Sequence, residues 1–399
     1  MRRWIIATIT GILFLLYPSL VLAVDGQEPV DEETLSDESS FIDRQIERLQ
    51  LDEIQAYWEQ VSTEYGGFLP ESQKGSFKDF ITGEKQFQIK EWGLGLVKFL
   101  LHELIVNSKL LGMLILLTLF SQILQSIQNA FESQNVSKAA YAVTYLVLMI
   151  LAINSFYVAI TYATEAINSM IHFMIALLPL LLALMASIGS LASSALFHPL
   201  IIFLVNTSGI LVNQFVLPLL FFSAVLGIIS TLSDHYKVSK LADFFRNIAV
   251  GLLGIFMTVF LGVISVQGAS SAATDGLTIR TAKFIAGNFI PVVGKMFTDA
   301  TDTVMSASVL LKNTVGMTGL GILFMICVFP LLKVLSLGII FNLSAAVLQP
   351  LGGGPIIECL SIIGKSVMYV FAALALVSLM FFLAVTLMVA ASNLSFMMR

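Results

Sequence analysis

Charge is scarce in this sequence. Only 12% of its 399 residues are Asp, Glu, Lys or Arg, whereas 57% are hydrophobic, and an average soluble domain has about 25% charged residues. So long and apolar a chain cannot cover its surface in water, which indicates a polytopic membrane protein. Cysteine is almost missing too: Cys327 and Cys359 both lie in the apolar part. We expect free thiols there, not a disulfide or a metal site.

Complete catalytic motifs are absent as well. His102-Glu103 starts a zinc-protease-like string, but Val106 stands where the second histidine is required. Gly364-Lys365-Ser366 resembles the end of a phosphate-binding loop, but Cys359 replaces the necessary earlier glycine. No basic run with interleaved aromatic residues suggests nucleic-acid binding. We therefore expect no enzyme activity, no cofactor, no metal and no nucleic-acid partner.

The few charges are unevenly distributed. Residues 24–108 contain 18 of the 26 acidic and 7 of the 21 basic residues, whereas residues 109–399 contain 8 acidic and 12 basic ones. Residues 1–23, with Arg2 and Arg3 before a short apolar run and Ala23 at its end, are typical of a secretory signal peptide. An uncleaved anchor is the alternative, and both place Val24 outside the cytoplasm.

An acidic region, residues 24–108, follows the signal peptide. Apolar residues recur there near helical spacing between charged ones, which predicts extracytoplasmic amphipathic helices. Two interpretations are open: a helical cap on the membrane surface, and a docking surface for an extracytoplasmic partner.

The remaining chain contains an apparent internal repeat. Pro179 and Pro218 recur as Pro291 and Pro330 at one offset (291 − 179 = 112 and 330 − 218 = 112), and Gly209 recurs as Gly321. Matching glycines and prolines are informative because these residues fix backbone geometry. We predict an all-α polytopic membrane protein with an internal two-fold repeat and an N-terminal extracytoplasmic helical segment. Its predicted parts are two transmembrane helices in 109–163, repeat 1 in 164–266 and repeat 2 in 267–399.

Each repeat is predicted to contain four apolar segments. In repeat 1 these are A (166–188), B (196–213), C (215–232) and D (244–266), preceded by spans at 110–127 and 139–162. Lys237, Lys240 and Arg246 lie between C and D, and basic loops favour the cytoplasmic side. If the acidic region 24–108 (the acidic head) lies outside the cytoplasm, an even number of membrane crossings in each repeat satisfies this tendency and makes the two copies parallel.

A polar stripe is the first candidate functional feature. In repeat 2 its members share one helix face, and in repeat 1 serines occupy the corresponding positions. The stripe residues are Lys295, Asp299, Asp302, Ser306 and Asn313, with Ser187, Ser190 and Ser194 in the first copy. Charges in a lipid-facing span are costly, so both stripes are predicted to line a polar cavity between the repeats. The alternative is an amphipathic helix at the membrane surface.

Helix breaks are the second candidate feature. The predicted break residues lie inside apolar runs at matching places of both copies: Pro179, Gly209, Pro218, Pro291, Gly321 and Pro330. A backbone carbonyl freed by proline needs a partner in lipid, and paired broken helices are typical of transport sites. Simple kinking for helix packing is the alternative. Lys333 and Lys365 are interpreted as residues that extend to the membrane interface near span ends.

Three stretches carry a resemblance to a known family. Residues 58–70 (WEQVSTEYGGFLP), 262–268 (GVISVQG) and 364–383 (GKSVMYVFAALALVSLMFFL) resemble the stage III sporulation protein AE family of endospore-forming bacteria, and the likeness covers nearly the whole chain after residue 23. The resemblance implies a multi-pass protein of the mother-cell membrane around the forespore. It also implies partners, namely other stage III sporulation membrane proteins and a forespore-made protein, that together form a channel or secretion-like complex.

The resulting functional prediction is a permease-like or scaffold subunit of that complex, embedded in membrane lipid. A stand-alone secondary transporter of a small solute is one alternative. A purely structural membrane anchor for soluble rings is the other.

Overall fold

The structure is a computed structural model that describes residues 52–69, 89–130, 134–232, 238–289, 293–351 and 354–397. The predicted signal peptide, residues 1–23, and the start of the acidic region lie outside these residues. Every regular element in the described ranges is helical, as the all-α prediction required. The helices are α1 (Asp52–Tyr65), α2 (Ile89–Val106), α3 (Ser108–Ala130), α4 (Gln134–Ser187), α5 (Leu191–Leu211), α6 (Leu217–Leu232), α7 (Ser239–Phe289), α8 (Val293–Leu348) and α9 (Pro355–Met397).

Five of the described helical stretches are long and apolar enough to cross a membrane, and the α2–α3 pair, bent by 44°, is a possible sixth. The five are Ala142–Ser187, Ser193–Leu232, Ser239–Gly268, Ser308–Leu348 and Pro355–Ala390. The 46 residues of the first make a helix about 69 Å long, while a hydrocarbon core is about 30 Å thick. These helices are therefore long enough to reach beyond a single bilayer.

The predicted short segments are joined into fewer, longer helices. The predicted second span and segment A form one helix, α4, which runs through the proposed boundary at residues 163–164. Segments B and C are continuous through a π-helical turn, Val212–Val216, that joins α5 to α6. In repeat 2 the corresponding segments are parts of α8. The described helices run through these separations because residues such as Thr164 and Glu165 neither remove a backbone donor nor strain a helix.

The predicted helix breaks have different outcomes. Helices α4 and α8 continue through Pro179 and Pro330, so neither proline interrupts its helix. Pro218 is the second residue of α6 and follows the π-helical turn directly, where the Leu217 amide donates to the Val212 carbonyl. Proline cannot donate a hydrogen bond to the carbonyl four residues earlier. A π turn is one backbone arrangement that accommodates this missing hydrogen bond. Pro291 lies outside the described residues.

The two predicted glycine landmarks lie in different surroundings. A Cβ atom on Gly209 would meet the Ile171 side chain of α4, whereas one on Gly321 would point into open space. Gly209 thus allows α4 and α5 to approach closely, and Gly321 has no such role. The internal repeat stays a prediction.

A tight turn at residues 188–190 separates α4 from α5. Gly189 has a φ of 82°, a left-handed conformation that glycine adopts without steric cost. The residue 112 positions later is Thr301, and α8 is helical through it. The two halves of the chain therefore differ here because only the first contains the glycine that the turn requires.

Helices α4, α8 and α9 contact one another and form the centre of the body. Gly316 and Gly319 of α8 lie where a Cβ would be 2.6 Å from Val389 of α9 and 2.8 Å from Leu177 of α4 respectively. Small residues at such contacts let helix backbones approach in membrane proteins. On the outer surface large apolar side chains are exposed, for example Phe203 at 65% and Ile255 at 67%, as expected of a surface that contacts lipid.

Candidate functional site

A polar cavity lies where α1 packs against α4 and α8. Its volume is about 330 Å³. Its wall combines one ammonium group, two carboxylates and three tyrosines with smaller residues from the three helices. The lining residues are Tyr57, Gln60, Val61, Glu64, Tyr65, Tyr162, Glu165, Ala166, Ser169, Ile326, Pro330 and Lys333. The cavity thus brings charged side chains into contact with two helices that are otherwise mostly apolar.

Lys333 makes the central polar contacts of this cavity. Its Nζ lies 3.1 Å from the Glu64 carboxylate and donates a 3.4 Å hydrogen bond to the Tyr65 hydroxyl. The same ammonium lies 5.2 Å from the ring centroid of Tyr65 and 5.7 Å from that of Tyr162, which is within cation–π range. Lys333 therefore links the acidic head to the apolar body. The predicted extension of Lys333 to a membrane interface stays a prediction.

Aromatic packing attaches α1 at the same level. The Tyr65 ring stacks on Phe329 of α8 with centroids 4.1 Å apart and planes 9° from parallel, and it meets Phe99 of α2 edge-on. At the other end of α1, Tyr57 meets Phe173 of α4 edge-on at 5.3 Å. Helix α1 is thus docked on its apolar side, while Glu53 and Glu59 are exposed on its outer side.

Both α1 tyrosines are held in the neutral form. Burial raises the pKa of Tyr65, and the neighbouring Glu64 carboxylate raises it further. Burial and the negative charge of Glu53 raise the pKa of Tyr57. Neutral phenols keep their rings electron-rich without adding negative charge to the cavity.

No residue of the predicted polar stripes is among the described residues that line this cavity. Lys295, Asp299, Asp302 and Ser306 belong to α8, but their side chains lie outside the described part of the structure. Asn313 is half-buried, and its Oδ1 has no hydrogen-bond partner among the described residues.

The three serines of the first copy surround the turn between α4 and α5. The hydroxyl of Ser187 donates to the Leu184 carbonyl and that of Ser194 to the Leu182 carbonyl. Ser190 is buried, with no partner for its hydroxyl in the described ranges. Two of the three predicted serines thus bond to nearby backbone, and the predicted cavity between the repeats stays a prediction.

A second buried cation lies deeper in the body. Lys312 of α8 is fully buried, and its Nζ donates to the Val389 carbonyl at 3.1 Å and to the Asn393 side-chain oxygen at 2.6 Å, both on α9. The two oxygen acceptors lie one helical turn apart on α9, and together they partly compensate this ammonium. The contact joins α8 to α9.

Comparison with known proteins gives a consistent result. The sequence profile of the stage III sporulation protein AE family matches residues 72–392, which is most of the chain. The chain belongs to the stage III sporulation protein AE family. A curated relative, stage III sporulation protein AE of Bacillus subtilis (strain 168), is 55% identical over 399 residues, covering 100% of both chains. No solved structure matches this member of the family.

The stretch that carries the family resemblance at residues 58–70 supplies part of the cavity. Glu64 and Tyr65 contact Lys333, and Phe68 meets Phe99 edge-on at 5.0 Å. Sequence reasoning missed this site because it examined the stretch and the lysine separately. A lysine inside the apolar run of α8 was the available signal, since an ionisable residue there indicates a functional site and a partner.

Metal binding has no support in the described residues. They contain no group of three or more His, Cys, Asp or Glu side chains close enough to hold a metal ion. The thiols of Cys327 and Cys359 are free and buried.

Proposed function

We propose that this chain is a multi-pass membrane subunit of a channel or secretion-like complex between the mother cell and the forespore. It acts there as a permease-like or scaffold component. Its family membership supports a role in sporulation, and its five long apolar helices support a membrane location. The observation that carries the proposal is the acidic helix α1 fixed on an apolar body. This arrangement gives a membrane-embedded protein an exposed face for partners, and other stage III sporulation membrane proteins and a forespore-made protein are the proposed ones.

The proposed orientation places α1 outside the mother-cell cytoplasm. If the bent α2–α3 pair crosses once, α4 returns the chain outward and the continuous α5–α6 helix crosses inward. The loop with Lys237 and Lys240, and Arg246 early in α7, then lies on the cytoplasmic side, in agreement with the positive-inside tendency. Helices α5–α6 with α7, and α8 with α9, make two crossings per proposed repeat, which is the even number the sequence favoured.

Packing in the body favours a subunit of an assembly over a stand-alone transporter. Where α4, α8 and α9 meet, the described side chains are mostly apolar and fully buried, for example Phe173, Leu323 and Phe381. A contact between the Ser378 hydroxyl of α9 and the Met170 sulfur of α4, at 3.6 Å, lies in the same region. Among the described side chains this contact is filled and shows no water-lined path, which favours a pore formed together with further chains.

A complementation experiment tests the proposal. The chain is expressed in a Bacillus subtilis strain that lacks its own stage III sporulation protein AE, and heat-resistant spores are counted. We expect restored spore formation and co-purification of other stage III sporulation membrane proteins. Normal expression and membrane insertion without any restored spores would contradict the proposal.

Liposome flux separates the three forms of the hypothesis. Solute or ion flux by the purified protein alone supports a stand-alone transporter. Flux that requires the partners supports a channel subunit. A complete complex without flux supports a structural anchor.

The polar stripe has a separate test in the same strain. The double substitution Asp299→Leu and Asp302→Leu is expected to abolish sporulation at an unchanged protein level if these side chains line a water-filled cavity. Normal sporulation by the double variant would remove this hypothesis.

A further inference from the structure

The cavity between α1, α4 and α8 has the composition of a binding site for a small cation. We propose that it binds a small organic ammonium ion, held by the Glu165 carboxylate and by the rings of Tyr57 and Tyr162. This inference is independent of the channel proposal, since it concerns a ligand of this chain alone.

The charges in the wall favour a monovalent cation. Three charged side chains line the cavity: Glu64, Glu165 and Lys333. Lys333 pairs with Glu64, and Glu165 has no ion-pair or hydrogen-bond partner among the described residues. The wall thus carries one uncompensated negative charge, which an ammonium ion would neutralise.

The position of Glu165 on α4 points to a functional role. It lies about halfway along the apolar stretch Ala142–Ser187 of α4. A carboxylate inside such a stretch is costly and commonly marks an ion or substrate site. Glu165 is exposed within its surroundings, so a ligand in the cavity can reach its oxygen atoms.

The aromatic part of the wall already stabilises one ammonium group. The Lys333 nitrogen lies over the rings of Tyr65 and Tyr162 at 5.2 and 5.7 Å. Aromatic faces arranged in this way bind ammonium and quaternary ammonium ligands. Tyr57 adds a third ring, which burial and Glu53 keep neutral by raising its pKa.

The size of the cavity limits the ligand to a small molecule. A volume of about 330 Å³ lies at the lower end of the range for small-molecule pockets, which is roughly 300–1,000 Å³. Tetramethylammonium and ethylammonium therefore serve as probes, and uncharged tert-butanol is the control for tetramethylammonium because it has a similar shape.

Calorimetric titration of the full-length protein in detergent tests the proposal at constant ionic strength. We expect saturable binding of tetramethylammonium or ethylammonium and no detectable binding of tert-butanol or acetate. Glu165→Gln keeps the side-chain shape and removes the charge, so it should weaken binding roughly tenfold or more. Glu358→Gln, on the exposed first turn of α9 and outside the cavity wall, is the matched control and should bind like the unmodified protein.

The aromatic contribution has its own pair of variants. Tyr162→Phe retains the ring and should keep affinity within about twofold, whereas Tyr162→Leu should lower it roughly tenfold. Circular dichroism and size-exclusion chromatography establish that each variant is folded. The proposal is overturned if neither ammonium probe binds, if tert-butanol binds equally well, or if folded Glu165→Gln and Tyr162→Leu variants bind normally.

Discussion

Replacing Lys333 with methionine tests how α1 is held on the body. Methionine has a similar length and retains apolar contacts, but it lacks the ammonium that contacts Glu64, Tyr65 and Tyr162. Helix α1 should therefore still pack on the body through its aromatic contacts, but it should detach from the body more often than in the unmodified protein.

The structure sets the size of this effect. Lys333 and Glu64 are 23% and 48% exposed, so their ion pair is worth about 0.5 kcal/mol, as is usual for partly exposed pairs. Of the two cation–π contacts only the one with Tyr65 reaches α1, and it adds about 0.5 kcal/mol. The sum of about 1 kcal/mol corresponds to a roughly fivefold increase in the population with α1 detached.

Hydrogen–deuterium exchange measures that population directly. Amide exchange in α1 should accelerate roughly fivefold in Lys333→Met and only about twofold in Glu64→Gln, which removes the ion pair alone. Lys365→Met is the matched control, because Lys365 is an exposed lysine on α9 and does not line the cavity. Its α1 exchange should be unchanged.

Two results would refute this reasoning. If Lys333→Met leaves α1 exchange unaltered, the lysine does not hold the helix. If Lys365→Met accelerates exchange as much as Lys333→Met does, the effect comes from general destabilisation and not from the contacts at the cavity.

Five further substitutions have expected outcomes. Asn393→Leu should lower the thermal unfolding midpoint in detergent, because the buried Lys312 ammonium loses a partner at a cost of about 1–3 kcal/mol. Lys312→Met removes the buried charge itself and should change the midpoint much less. An equal loss in both variants would contradict this account. Gly319→Ala should destabilise the helix contacts by about 1–3 kcal/mol through overpacking. Gly321→Ala, in open space two residues later, should be neutral or slightly stabilising. A thermal melt distinguishes the two variants, and equal unfolding midpoints would argue against the close helix approach. Gly189→Ala should cost about 1–2 kcal/mol by the same measurement because it forces a side chain into a left-handed conformation, and an unchanged midpoint would show that the turn has another conformation.

Much of the fold was predictable from local sequence. Long apolar runs dictate membrane helices, and the structure has them. The boundaries were less predictable: two apolar segments were expected at 139–162 and 166–188, but no backbone-breaking residue separates them and one helix contains both. The turn at Gly189 had a readable signal: the glycine is present in the first half and replaced by Thr301 in the second.

The candidate site was not predictable from the patterns used. The polar stripes were sought within single helices, where periodicity places residues on one face. The cavity instead draws residues from three helices, and its ion pair joins positions 269 residues apart. Periodicity carries no information about such a pairing.

The sequence by itself determined the class of this protein, a helical membrane body with a charged N-terminal head. So apolar a chain can satisfy its backbone hydrogen bonds in lipid only through helices or closed barrels, and the length of its apolar runs suits helices. Only the tertiary structure decided which buried and half-buried charges have partners. Lys312 and Lys333 are both lysines within α8, yet one meets the end of α9 and the other meets the head. Their partners depend on which helices pack beside α8, and that is a property of the assembled chain.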